Sequence, residues 1–252
     1  MKDHSRNFTR VLASRTLFGL SLAAVMFIAP VLAQAGSAGK GDMVQQKLAA
    51  IKASTAANQQ KLHRYTWTET SLITLNGNTR PPKQSLCSYG PNGKVQKTPI
   101  GTTAQSTSNA SGPGSRLKNR IIQKKTAEME DYMKRVAGLI ALYMPPNPTK
   151  MQQAFQNKNV SFQPGNGMVT LVFKNYVQPG DSMTLAFNTA TKKISTVNVK
   201  TYLDSPQDGV TLAVSFASLP DGTNHASQTV IEAQAKNIRI VNTNSNYRKM
   251  SQ

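Results

Sequence analysis

The 252-residue chain carries 30 lysines and arginines against 11 aspartates and glutamates, with three histidines and one cysteine, for a formal charge of +19. A single cysteine excludes an internal disulfide, so the fold has to be held by its core. No HExxH, CxxC or carboxylate cluster at ligand spacing is present, which argues against a metal centre and leaves no cofactor implied.

The first 35 residues read as a signal peptide. Lys2, Arg6, Arg10 and Arg15 precede the apolar run "LFGLSLAAVMFIAPVLA", and Ala33-Gln34-Ala35 supplies small residues for cleavage. Cleavage is expected after Ala35, or alternatively after Ala33. The competing reading is an uncleaved anchor, which needs about 20 apolar residues; this run is shorter and is broken by Pro30. Export to the periplasm as a soluble protein is therefore expected. No cysteine directly follows the apolar run to take a lipid on the mature N-terminus. A mature chain of that kind keeps 26 basic and 10 acidic residues. A flexible spacer is expected over residues 36–42 and a single domain over residues 43–252.

Met43–Tyr65 reads as a helix whose stripe Val44, Leu48, Ile51 and Leu62 is interrupted by Thr55 and Asn58. Tyr65–Leu75, rich in Thr, aromatic and β-branched residues, reads as a strand. Asn76-Gly77 suits a type I′ turn, in which both central residues take φ > 0. Counting outward from that turn pairs Leu75 with Asn78, Thr66 with Cys87 and Trp67 with Leu86, which sets Trp67 and Cys87 on opposite faces. Pro81 and Pro82 place the returning strand at an edge or give it a bulge. Val95–Ile100 adds a short strand, and Thr102–Ser115 reads as a mobile loop.

Leu117–Met144 is the longest helical pattern, with Ile121, Ile122, Met129, Met133, Val136, Ile140 and Tyr143 on one side; Pro145-Pro146 stops it. A short helix follows over Thr149–Gln156. Beyond Asn159 the chain alternates strands with turn clusters. Strands are predicted near Met168–Asn175, Ser182–Asn188, Ile194–Tyr202, Val210–Leu219, Gln228–Gln234 and Asn237–Asn244. Within them Val169, Leu171 and Phe173 share a face, as do Met183, Leu185 and Phe187, then Val197 and Val199, then Val210, Leu212, Val214 and Phe216. The alternate positions are small or polar, so one sheet face is apolar and needs a cover. The expected fold is α+β: a curved antiparallel sheet, or half-barrel, with its apolar face covered by the mid-chain helices.

Catalytic constellations are weak. Cys87 with His63 or His225 is an imaginable nucleophile and base, but a free cysteine in a sheet is more often a small buried hydrophobe. Glu128, Glu130 and Asp131 lie among lysines as on a solvated helix face. Glu69 reads as a single exposed strand acid. The chain is therefore expected not to be an enzyme. No acid occurs between Glu69 and Glu128, whereas Arg80, Lys83, Lys94, Lys97, Arg116, Lys118, Arg120, Lys124 and Lys125 accumulate there. Such a field attracts anions, an anionic membrane surface among them, or simply aids solubility. Only Tyr89 interleaves those cations, so nucleic acid is not expected as a partner.

The order of parts, with the phrases "YTWTETSLITLNG" and "TVIEAQAKNIRIVNTNSNYRKM" as first and last strands, resembles the outer-membrane lipoprotein carrier and sorting superfamily over roughly Met43 to Lys249. The strong basic excess and the Thr102–Ser115 loop depart from that pattern. The resemblance implies a periplasmic half-barrel that holds acyl chains in an apolar cavity, with a lipid or lipidated protein as partner. On this chain the candidate wall is Leu171, Phe173, Leu185, Phe187, Leu212, Val214 and Phe216. The candidate lid is Met129, Met133, Val136 and Ile140. The alternative is an exported structural or interaction protein with a filled core and a basic envelope-contacting surface.

Overall fold

The structure, a computed structural model, describes residues 40–101 and 115–250. The expected signal peptide, residues 36–39 of the spacer and most of the Thr102–Ser115 stretch lie outside the described residues. So do the side chains of Val44, Leu48, Arg116, Leu117 and Lys118.

The described residues open with helix α1 (Lys40–Leu62), so the last three residues of the expected spacer are helical. Strands β1 (Tyr65–Leu75), β2 (Asn78–Thr79), β3 (Lys83–Tyr89) and β4 (Val95–Ile100) follow, then helices α2 (Ser115–Ile140) and α3 (Pro148–Gln156). The rest is β5 (Val160–Pro164), β6 (Met168–Lys174), β7 (Ser182–Asn188), β8 (Lys193–Tyr202), β9 (Gly209–Ser218), β10 (Asn224–Ala233) and β11 (Ile238–Lys249).

All the strands join one open, curved antiparallel sheet in the order β4-β3-β1-β11-β10-β9-β8-β7-β6-β5, with β2 beside β1. The chain enters at β1, moves out by hairpins to the β4 edge, and crosses by α2 and α3 to the far edge at β5. It then meanders back until β11 closes on the free side of β1. Pro99 in β4 and Pro164 in β5 remove ladder donors at the two edges, which blunts them against further pairing.

The first hairpin turns as expected, with φ of 49° at Asn76 and 77° at Gly77, and Leu75 pairs Asn78. Its register then departs from the sequence count. Thr66 pairs Ser88 and Trp67 pairs Cys87, one residue later than expected. The extra residue is absorbed between β2 and β3, at Arg80–Pro82, where two prolines cannot donate to the ladder. Trp67 and Cys87 therefore lie on the same face, and β3 is an interior strand flanked by β1 and β4.

Helix α2 ends at Ile140 rather than Met144. Leu142 and Tyr143 donate to carbonyls three residues back, tightening the chain into turns ahead of Pro145. Helix α3 is capped by Asn147, whose Oδ1 accepts from the backbone of Thr149 at 2.9 Å and Lys150 at 3.2 Å. Strand β5 was not among the predicted strands; it is a short edge whose residues are half-buried or exposed. Strand β10 starts four residues before Gln228, and β11 runs on to Lys249. Gln234, expected to end a strand, instead opens a tight helical turn over Gln234–Lys236, and Asn237, expected to begin the next strand, turns the chain back at φ 46°.

One apolar core lies between the sheet and the helices. It joins Ile51 of α1, Tyr132, Met133, Val136, Leu139 and Ile140 of α2, and Met151 and Ala154 of α3 to the inward residues of β6 through β11. The alternation read from sequence is the alternation observed, with Val169, Leu171 and Phe173 buried on β6 and Met183, Leu185 and Phe187 on β7.

Candidate functional site

Residues paired across antiparallel strands project to the same face, so the registers map the inner surface of the sheet. Starting at the far edge, Leu171 pairs Leu185, which pairs Val197, which pairs Val214. The same row continues as Thr229, Asn242, Ser71 and Lys83. One lateral row thus runs from leucine to lysine. The neighbouring row stays apolar throughout, from Met183 through Val199, Leu212, Ile231 and Ile240 to Ile73.

The candidate wall and lid meet in this core. Leu171, Phe173, Leu185, Phe187, Leu212, Val214, Met133, Val136 and Ile140 are all buried, while Phe216 and Met129 are partly buried at its margin. Burial of Leu171, Phe173, Leu185, Val136 and Ile140 is complete at 0 % exposure, so α2 rests directly on the wall.

Polar ties hold that cover in place. Tyr132 of α2 donates to Asp208 at 2.7 Å, and Arg135 pairs with Asp204, both in the turn between β8 and β9. Just past α2, Tyr143 donates to Asp181 and shares a 2.7 Å hydrogen bond with Thr201. Asp181 is buried in the loop before β7 and also accepts from the backbone N–H of Tyr176, Val177 and Gln178. Burial, aided by the hydrogen bond to the carboxylate, pushes the Tyr143 hydroxyl pKa well up, so it stays a donor.

Sequence reasoning missed these ties. A tyrosine closing an apolar helix ahead of Pro-Pro, and an aspartate after the Pro-Gly turn, were the available signals. Helix α1 docks through polar groups too. Asn58 donates to the Asn224 carbonyl at 2.7 Å and accepts from the Asn224 N–H at 2.5 Å, while Ser54 donates to the Lys192 carbonyl at 2.6 Å. The apparent interruption of its apolar stripe is part of its docking face.

A second cluster sits where α1 meets β1. Trp67 stacks on Tyr247 with centroids 5.6 Å apart and lies 5.4 Å from Tyr89, which stacks on His63 at 4.4 Å. His225 packs 4.2 Å from Tyr247. Cys87, opposite Trp67, is fully buried, and burial with the nearby Glu69 charge pushes its thiol up to about 11. Burial of that kind favours the neutral thiol over the thiolate that a cysteine nucleophile uses.

Glu69 is not an exposed acid. It lies half-buried on the inner face and takes a 2.6 Å ion pair from Lys97. Lys97 is thereby withdrawn from the basic surface. Of the other cations singled out, Lys94, Arg120, Lys124 and Lys125 are exposed, whereas Arg80 and Lys83 are half-buried. Among the described residues, no three histidine, cysteine, aspartate or glutamate side chains gather as metal ligands, and no helix is long and apolar enough to cross a membrane.

No family model and no curated protein matches the chain. Among solved structures it is similar to a DUF1329 family protein from Desulfovibrio piger, at 9% identity and a TM-score of 0.38, over 82% of this chain and 92% of that one. A likeness of that size carries no argument about function. The α+β architecture expected from the sequence stands on the sheet and its helical cover themselves.

Proposed function

We propose that the chain is an exported, periplasmic, non-catalytic binding protein that holds acyl chains of a lipid or lipidated protein between its curved sheet and helix α2. One observation carries this reading. The inward row from Met183 through Val199 and Leu212 to Ile231 is apolar throughout, and it is roofed by helices that include α2, whose polar ties lie along its C-terminal half and just beyond. Burying acyl methylenes against such a face is worth roughly 0.8 kcal/mol per CH₂. Entry is expected at the margin of the cover, beside the partly buried Met129 and Phe216. The Arg135–Asp204 pair, exposed on both sides, costs little to open.

A second reading is favoured by the completeness of burial at Leu171, Phe173 and Leu185. In it the space is a filled core, and the exposed Lys94, Arg120, Lys124 and Lys125 contact an anionic envelope surface. Native mass spectrometry of protein purified from the periplasm separates the two. Recovered lipid, or uptake of an acyl-chain probe, supports the first reading. Absence of both overturns it. Binding to anionic vesicles that is lost at high salt, with no acyl uptake, then supports the second.

A further inference from the structure

The inner face of the sheet has a second region, which the acyl-binding reading does not use. Along β1 the inward residues run Leu75, Ile73, Ser71, Glu69; along the paired β11 they run Ile238, Ile240, Asn242, Asn244. Both strands change from apolar to polar at the same level. Past that change Glu69 stands between Ser85 of β3 and Asn244 of β11. One inward position further along β1, Trp67 stands opposite Cys87, which pairs Lys97 on its other side. Glu69 and Lys97 are bonded to each other at 2.6 Å, with side chains 12 % and 17 % exposed, so solvent reaches this part of the face.

Polar atoms without partners concentrate here. Of the five buried side-chain nitrogens and oxygens that lack a hydrogen bond among the described residues, three belong to this end of the sheet: Trp67 Nε1, Asn244 Oδ1 and His63 Nε2. His63 stacks on Tyr89, which lies 5.4 Å from Trp67, itself only 5 % exposed. The other amide atom of Asn244, Nδ2, is used, donating to the Ala226 carbonyl at 2.9 Å. Buried groups left in this state are costly unless a partner reaches them. An indole N–H only donates and an amide oxygen only accepts, and a hydroxyl answers both. Successive inward positions on a strand are about 7 Å apart, a spacing that hydroxyls on opposite sides of a sugar ring can bridge. The surrounding phenols add donors. Burial pushes the Tyr89 hydroxyl up to about 12. Burial first, then the charges of Tyr89, Cys87 and Glu69, push the Tyr247 hydroxyl well up, which places those groups around it.

We infer that this end of the inner face is a subsite for an uncharged, polyhydroxylated group, a sugar ring whose hydroxyls accept from Trp67 Nε1 and donate to Asn244 Oδ1. The apolar wall begins at Ile73, two inward positions from Glu69, so the ring can be the head group of an amphiphile. A free saccharide offers the same hydroxyls, and the test separates the two sources. The subsite goes beyond the acyl-binding reading and does not depend on it.

Trp67 is the chain's one tryptophan and therefore a built-in reporter. Four probes are titrated on the full chain: octyl glucoside below its micelle concentration, octanol, methyl glucoside and octyl phosphate. Octyl glucoside is expected to shift the Trp67 emission and to bind about tenfold more tightly than octanol, the size of one or two hydrogen bonds to buried groups. Octanol, held on the wall, should leave the emission unchanged. Asn244→Leu removes the acceptor, and Trp67→Phe keeps a ring but removes the N–H. In each, calorimetry should show the preference for the glucoside falling at least threefold, with an unchanged circular dichroism spectrum as the check on folding. An emission that neither glucoside shifts, or a preference that survives intact in both variants, overturns the subsite. Octyl phosphate binding more tightly than octyl glucoside overturns the uncharged class. Methyl glucoside binding as tightly as octyl glucoside supports the subsite with a free saccharide as its occupant. Failure of octanol while methyl glucoside still binds overturns the acyl reading and supports the subsite.

Discussion

Trp67 and Cys87 stand directly opposite each other across β1 and β3, on the inner face of the sheet. Pairing at that level turns the two rarest residues of the hairpin into packing partners within an aromatic cluster. The thiol hydrogen bond to the Ser85 carbonyl is long at 3.8 Å, so Cys87 serves chiefly as a small apolar group.

Cys87 is accordingly expected to resist modification in the folded protein. At pH 8 a disulfide reagent should label it only as fast as the hairpin opens, and rapidly once urea unfolds the chain. Substitution Cys87→Ser, which puts a more demanding hydroxyl in the same space, should cost about 1–3 kcal/mol. Fast labelling of the native chain would contradict the burial argued here.

The Asn58 clamp predicts a stability loss that hydrophobicity does not. Asn58→Ala removes two hydrogen bonds to the Asn224 backbone, one in each direction. The expected cost is about 2 kcal/mol, read from the urea midpoint. Amide exchange should rise at Asn224, whose N–H loses its acceptor.

How far these features were legible depends on the length scale of the signal. The inward alternation of Val169, Leu171 and Phe173 was readable because side chains in a strand alternate strictly, and burial on one face forces apolar residues to that period. Asn76-Gly77 was readable because few residue pairs tolerate positive φ twice. The Trp67–Cys87 pairing was not, because one residue absorbed at Arg80–Pro82 inverts the parity of everything after it. Glu69 read as exposed because its partner, Lys97, arrives from β4, 28 positions further along the chain. Helix α1 docks through Ser54 and Asn58, and a polar docking face has no periodic hydrophobic signature. The end of α2 was misplaced because Tyr143 is buried beyond the helix, which let the apolar pattern run past the last helical turn.

Asp181 is expected to be the most sensitive polar position of the cover. It accepts three backbone N–H groups and the Tyr143 hydroxyl while 2 % exposed. Asp181→Ala leaves those donors without an acceptor and should cost about 4 kcal/mol, whereas Tyr143→Phe loses the charge-assisted bond to Asp181 and the hydrogen bond with Thr201, together about 2–3 kcal/mol. Chemical denaturation of the two variants tests the order. If lid movement accompanies acyl binding, Tyr143→Phe should also speed probe uptake, because Tyr143 ties the end of α2 to the sheet. An equal cost for both substitutions would place the tie elsewhere.

The Tyr65–Asp221 hydrogen bond gives the fold a definite acid response. Tyr65 donates to Asp221 Oδ2 at 2.7 Å, and the Thr223 N–H donates to Oδ1 at 2.8 Å. The tyrosine hydroxyl chiefly, with Thr223, lowers the Asp221 carboxyl from 3.8 to about 2. A carboxylate depressed by folding contributes stability that is fully present above the unfolded value, near pH 4. That contribution is lost as pH falls through the folded value, near pH 2. Because Asp221 is exposed, solvent screening limits it to about 1 kcal/mol at most. Tyr65→Phe removes the main cause of the depression. The stability difference between native and Tyr65→Phe proteins should be largest above pH 4 and should narrow steadily toward pH 2 in denaturation curves taken across that window. A difference that holds constant down to pH 2 would mean that the Tyr65 hydroxyl stabilises the fold without the charge on Asp221, because the ring against Tyr247, 6.3 Å away, is kept in Tyr65→Phe.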